Sequence, residues 1–171
     1  ALKGIHGVLP MAVKAREHGL TEIFVAPDNV NEALLVEGLT VYAITTLSEL
    51  IDLLVGRLEK EPAQKINPSV FPAPVFMDDF SDVQGQFVAK RALEIAAAGG
   101  HNVLMVGVPG SGTTMLARRL SSILPPLSSQ EALEVTKIYS IAGLLRGNSG
   151  LITTRPFRSP HHTTSTVAMI G

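Results

Sequence analysis

Residues 101–120 read HNVLMVGVPGSGTTMLARRL, and this stretch decides the fold. HNVLMVG is a near-continuous apolar run, the pattern of a strand buried on both faces of a parallel sheet. Glycines at 107, 110 and 112 follow, and TTMLARRLSSIL then reads as a helix stopped by Pro125 and Pro126. Strand, glycine loop and helix in that order let successive backbone N–H groups turn inward around a phosphate. The helix start adds its partial positive charge to the cradle. The phosphate-loop pattern G-x-x-x-x-G-K-[ST] requires a lysine where this chain has Thr113. Thr114 stands where the hydroxyl ligand of Mg²⁺ belongs. The missing lysine would bridge the β- and γ-phosphates, and losing one charge-assisted contact costs about 1.5–3 kcal/mol. The reading is a backbone cradle that survives while its cation is gone. A glycine-rich turn without a ligand is the bland alternative.

Working outward, GQFVAKRALEIAAAGG ahead of the run lies in a helical stretch, residues 82–100, that ends at a glycine pair. Beyond the loop helix, Ser128 with Glu131 forms a capping box for a helix to about Ile141. The tail from Gly143, rich in Gly, Ser and Thr, is expected to hold short strands. Residues 61–77, EPAQKINPSVFPAPVFM, carry four prolines and read as a stiff linker. Before it, MAVKAREHGL reads as a short helix stopped by Gly19, TEIFVA as a strand, NVNEALLV as another short helix and TVYAI as a second strand. Thr46 or Ser48 can then cap LSELIDLLVGRL, whose leucines at helical spacing are expected to be core. Two strands are few for a stable sheet, so residues 1–60 read as half of an α/β domain.

The chain has 171 residues, 46% of them hydrophobic and 17% charged, which describes a globular protein rather than a disordered one. Its formal net charge of -1 says nothing about partners, but its distribution does. Residues 1–65 hold six basic and nine acidic side chains, whereas 83–171 hold eight basic against three acidic. Excess positive charge in the second part suits phosphate. There is no cysteine, which excludes disulfides and thiolate metal sites and is compatible with a cytoplasmic setting. No apolar run approaches the length of a membrane span.

Two stretches carry a family resemblance. DDFSDVQGQFVAKRALEIAAAGGHNVLMVGVPGSGTTMLARRLSSILPPLSSQEALEVTKIYS, residues 78–140, resembles the magnesium-chelatase-like AAA+ ATPases of the ComM/YifB group. RPFRSPHHTTS, residues 155–165, closely resembles a phrase characteristic of that group and is more specific than any glycine loop. Residues 1–60 look like the second half of the Lon-protease-like (ribosomal S5 domain 2-like) domain that precedes the ATPase core in these proteins. The resemblance therefore implies an α/β chain with part of a Lon-like unit at 1–60, a linker at 61–77 and the N-terminal part of a P-loop AAA+ core at 78–171. Family members have proline and lysine where this chain has Val108 and Thr113, and they continue into a Walker B strand, sensor residues and an arginine finger.

Carried over to matching positions, Val83 and Gly85 lie in the box near adenine. Gly107, Pro109, Gly110, Ser111, Gly112 and Thr114 match the phosphate loop, with Thr113 at the lost lysine. The resemblance implies ATP and Mg²⁺ as weakly held cofactors, self-association into a ring, and DNA as a partner in recombination or competence. A non-catalytic assembly module and a subunit that inserts Mg²⁺ into a tetrapyrrole are the alternatives.

Arg155, Arg158, His161 and His162 form the other reactive-looking cluster. The adjacent histidines lack a common zinc spacing, so a structural hairpin or ring contact is the leading reading, followed by DNA contact through the arginines. Of Arg118 and Arg119, one turn into the loop helix, one can approach phosphate while the other faces solvent. A peptidase dyad of serine and lysine would need a lysine within residues 8–13, where there is none.

Overall fold

Gly7, at φ 80, turns the chain into α1 (Val8–Glu17). Pro10 is tolerated there because the first helical turn needs no N–H partner within the helix. For that reason the helix starts ahead of the expected Met11. It ends at Glu17, and Gly19 at φ 80 reverses the chain. β1 (Glu22–Val25) and β2 (Thr40–Ala43) pair in parallel, with Glu22 opposite Thr40 and Val25 opposite Ala43. The crossover between them holds a 3-10 turn at Pro27–Asn29 and the short α2 (Val30–Ala33). On this sheet the Phe24 and Tyr42 rings stack with centroids 5.3 Å apart, as cross-strand partners can. α3 (Leu47–Leu54) is capped by Thr46, whose side chain accepts from the Glu49 amide.

This computed structural model describes residues 1–64, 78–145, 150–161, 163–165 and 167. Most of the proline segment 61–77 and His162 therefore lie outside the described residues. The chain divides into two compact units, Ala1–Ala73 with Leu127–Thr153 and Pro74–Pro126 with Thr154–Gly171. The helix that Ser128 and Glu131 begin, α6 (Ser129–Ile141), thus belongs with the N-terminal unit, where it packs on α1.

In the first unit the core is Val8, Val25, Ala33 and Val41, with Leu9, Ala12 and Ile44 also fully enclosed. α6 contributes small residues at helical spacing, Ala132, Thr136 and Ser140, all buried. Thr136 Oγ1 donates to the Ala132 carbonyl at 2.6 Å and accepts from the Ile152 amide at 3.0 Å, so its burial leaves no polar atom unmatched. Glu32 does what Gly7 cannot: one carboxylate oxygen accepts from the Leu9 amide at 2.9 Å at the uncapped start of α1, and the Ser140 hydroxyl donates to the same oxygen.

α3 departs from expectation. Leu47, Ile51, Leu54 and Val55 are between 49% and 65% exposed, and no residue of the helix is buried. Their periodicity is correct, but a two-stranded sheet is too narrow to cover that face.

Around α3 a local ion pair has a pH consequence. The Lys60 ammonium, followed by the Thr45 hydroxyl and amide, holds Glu49 down at about 2, against its usual 4.5. A carboxyl depressed by folding contributes fully above its unfolded value and loses that contribution as pH falls through the folded one. Melting temperature should therefore fall between pH 4.5 and 2 more steeply for the parent than for Glu49→Gln. Thermal melts across that window check this, and parallel curves overturn it.

The second unit is small. Its core is Phe80, Val83, Leu93 and Leu116, with Ala89, Met105, Leu120 and Ile123 packed around them. A 3-10 turn at Phe80–Asp82 opens with Asp79 as cap, and the Ser81 hydroxyl and amide hold the Asp79 carboxyl below its ordinary value. α4 (Phe87–Gly99) starts well after residue 82, because Gly85 and Gln86 are both left-handed, at φ 67 and 51. α5 (Thr113–Arg119) follows the glycine loop and continues as a 3-10 turn, Leu120–Ser122.

The expected buried strand at 101–107 is not formed. The segment has no sheet partner among the described residues, and Leu104 and Val106 are 89% and 88% exposed, while Met105 packs inward. A strand is defined by its neighbours: this segment has the apolar run of a buried strand, yet nothing described pairs with its edges. Likewise, no strand occurs among the described residues of the tail.

Candidate nucleotide-binding site

The loop between residue 107 and α5 is built from turn chemistry. Val108, Pro109, Gly110 and Ser111 form a tight turn closed by the Ser111 amide on the Val108 carbonyl at 3.0 Å. Proline at the second place and glycine at the third, here at φ +87, are what a type II turn demands. Gly112, also at φ +87, is the N-cap of α5. A side chain at either glycine would be strained. Val108 is 76% exposed and gives the turn only its backbone carbonyl.

Two observations test whether these residues fit a phosphate. The Ser111 Oγ is buried and has no hydrogen-bond partner. A Cβ on Gly107 would collide with that oxygen, so the absence of a side chain at Gly107 is what leaves Ser111 its place. The amides of Gly112, Thr113 and Thr114 also take no partner among the described residues, as expected at a helix start. Free donors with one unmatched hydroxyl suit phosphate oxygens. Thr113 is half-buried and Thr114 exposed, the latter with its hydroxyl available to a cation.

The cations nearby are arranged unequally. Arg119 turns away from the loop to pair with Asp78 at 3.2 Å and Asp82 at 3.5 Å, and its side chain is only 17% exposed. Arg118 is exposed and its side chain pairs with no described residue. Lys90 donates to the Val83 carbonyl at 3.1 Å and lies 5.4 Å from the centre of the Phe80 ring. Val83 itself is a core residue at 2% exposure, so what it presents outward is backbone, while Gly85 is open.

The structure also supplies a residue that the sequence reading missed. Gln86 Nε2 donates to the Ser111 carbonyl at 3.1 Å, tying the segment at 83–86 to the glycine loop. The 78–82 segment is tied to the far end of α5 by Arg119 and by the Phe80 amide on Ser122 Oγ at 2.9 Å. Only the aspartates flanking Phe80 hinted at this, since they sit opposite no basic residue nearby in sequence.

Of the other cluster, Arg155, Arg158 and His161 lie among the described residues. Arg155 Nε donates to the Pro125 carbonyl at 2.8 Å, fixing the tail beyond α5, and Arg158 is exposed. His161 Nδ1 lies 2.8 Å from the Thr163 hydroxyl. Among the described residues no group of histidines and carboxylates is placed to hold a metal ion. None of their helices is long and apolar enough to cross a membrane.

Known proteins match this chain along its length. The sequence profile of the family described as magnesium chelatase, subunit ChlI, matches residues 79–171. The chain is 43% identical, over 99% of its length, to the uncharacterized protein Rv2897c of Mycobacterium tuberculosis strain H37Rv, of which it covers 33%. It is 40% identical over its whole length to the uncharacterized protein YifB of Escherichia coli K12, again covering 33%. With the competence protein ComM of Haemophilus influenzae it shares 40% identity over 99% of this chain and 33% of that protein. The chain thus spans about a third of the length of these curated relatives. It belongs to the magnesium-chelatase-like family, in the group of YifB and ComM.

Proposed function

We propose that this chain is the ATP-binding portion of a magnesium-chelatase-like AAA+ ATPase, a ring-forming cytoplasmic motor that acts on DNA, and that it hydrolyses ATP poorly as it stands. The observation that carries the reading is the glycine loop, where the Gly112, Thr113 and Thr114 amides have no partner among the described residues beside a buried, unmatched Ser111 hydroxyl. Its residues bind and orient; they do not react. The amides and Ser111 would hold β-phosphate oxygens, and Val83 and Gly85 would face adenine by their match to the family. Thr114 would offer its hydroxyl to Mg²⁺, which would neutralise charge shared by the phosphates.

Poor turnover follows from Thr113. A neutral side chain there leaves the charge developing on the transferred phosphoryl without its usual partner. That same neutrality favours a second reading, a nucleotide-binding assembly module that never turns over. Metal insertion into a tetrapyrrole rests on the family description alone.

Titration calorimetry with Mg-ATP tests the reading. Saturable binding is expected from the parent and none from Gly112→Val, whose side chain cannot adopt φ +87. Equal heats from both chains overturn it. The DNA part rests on the tail arginines, and anisotropy should show binding that weakens with salt and with Arg155→Ala plus Arg158→Ala. Binding indifferent to both sinks that part alone.

A further inference from the structure

Gln86 stands out twice. It is the only non-glycine residue with positive φ among the described residues, at φ 51 and ψ 36, a conformation that glycine adopts with less strain. Placed as the residue before α4, it makes no side-chain cap there. Its amide instead reaches over 25 positions in sequence to the Ser111 carbonyl at 3.1 Å. Strain held at one residue whose side chain leaves its own helix for another element calls for a functional account.

We propose that Gln86 is a positioning residue that sets the phosphate cradle by holding the Ser111–Gly112 peptide in one orientation. The peptide group is a rigid plane in which C=O and N–H point to opposite sides. Anchoring the Ser111 carbonyl on Gln86 therefore aims the Gly112 N–H the other way, and that N–H has no partner among the described residues. Nothing else described restrains this peptide from the carbonyl side. The Ser111 amide is already bonded to Val108, and glycine at 112 brings no side chain to limit rotation. With Thr113 neutral, the cradle depends on amide direction more than a loop with a lysine does. The assignment rests on the nucleotide reading above and adds to it a residue on a separate segment.

The test uses two substitutions with different structural consequences. Gln86→Met keeps length and strain but cannot donate; Gln86→Gly removes the donor and relieves the strain. Both are to be titrated with Mg-ADP and with inorganic tripolyphosphate, in the parent and in a Thr113→Lys background. Affinity for both probes should fall by about three- to ten-fold, the loss of one neutral hydrogen bond. The melting temperature of Gln86→Gly should stay level or rise. Weaker binding with equal or greater stability is the signature of positioning, because a merely structural role moves both downward together.

Unchanged affinity in both variants, where the parent binds, overturns the role of Gln86 and leaves the nucleotide reading standing. Loss confined to Mg-ADP, with tripolyphosphate unaffected, overturns it too, since Gln86 would then serve the base and not the phosphates. If neither probe binds to the parent or to Thr113→Lys, the nucleotide reading falls and this one with it.

Discussion

Leu116→Ala should cost the second unit about 2–5 kcal/mol, the usual range for emptying a fully enclosed leucine site. Leu116 is 2% exposed on α5 and clusters with Phe80, Val83 and Leu93, the buried centre of this unit's small core. Whole domains are stable by only about 5–15 kcal/mol, so a unit this small loses much of what it has. The substitution reaches the site as well. The Leu116 amide bonds the Gly112 carbonyl at 3.0 Å, and its side chain seats the first turns of α5 against α4 and the 80–83 segment. A loosened α5 releases the loop that precedes it. Denaturant unfolding followed with limited proteolysis should show the second unit cleaved at much lower urea, with Mg-ATP binding lost in parallel. Leu54→Ala is the matching control. At 65% exposure on α3 it should stay within about 0.5 kcal/mol of the parent. Comparable losses from both would mean that the exposed face of α3 is covered in solution.

The contrast between those leucines shows what was legible in the sequence. Both sit in good helical periodicity, and periodicity marks which face a helix would bury. It does not say whether anything is there to bury it. The same limit explains residues 101–107, whose near-continuous apolar run marks a strand but which pair with no strand among the described residues. Local signals fared better. The capping box of Ser128 and Glu131 marks the start of α6 to the residue, and of the two caps offered for α3, Thr46 and Ser48, the chain uses Thr46, because a cap is decided within three positions. The glycine loop was readable for a like reason: Pro109 and the φ of Gly110 and Gly112 are local demands. Gln86 was not readable, since its partner lies far along the chain and a left-handed glutamine has no sequence signature of its own. Nor was the choice between Arg118 and Arg119, which turned on where Asp78 and Asp82 are folded.

Thr113→Lys should tighten Mg-ATP binding by about ten-fold or more, the return of one charge-assisted contact. Thr113 is the first residue of α5, two positions after the buried Ser111 hydroxyl, so a longer side chain there starts beside the cradle. The three cations nearest in the folded segments are otherwise placed. Arg119 is held by two aspartates, and Lys90 bonds the Val83 carbonyl beside Phe80. Arg118 carries the remaining charge on α5, but it begins a full turn farther along the helix than a lysine at 113 would. The new ammonium would meet the β- and γ-phosphates while the backbone contacts stay as they are, so the gain should be larger for Mg-ATP than for Mg-ADP. Calorimetry with both nucleotides reads that difference directly. Phosphate release measured on the same two chains should remain low, because hydrolysis also needs an acidic group to orient Mg²⁺ and water, which one lysine does not provide. Unchanged affinity would mean that the loop does not hold phosphate. Turnover restored by Thr113→Lys alone would mean that this chain already carries the rest of the machinery.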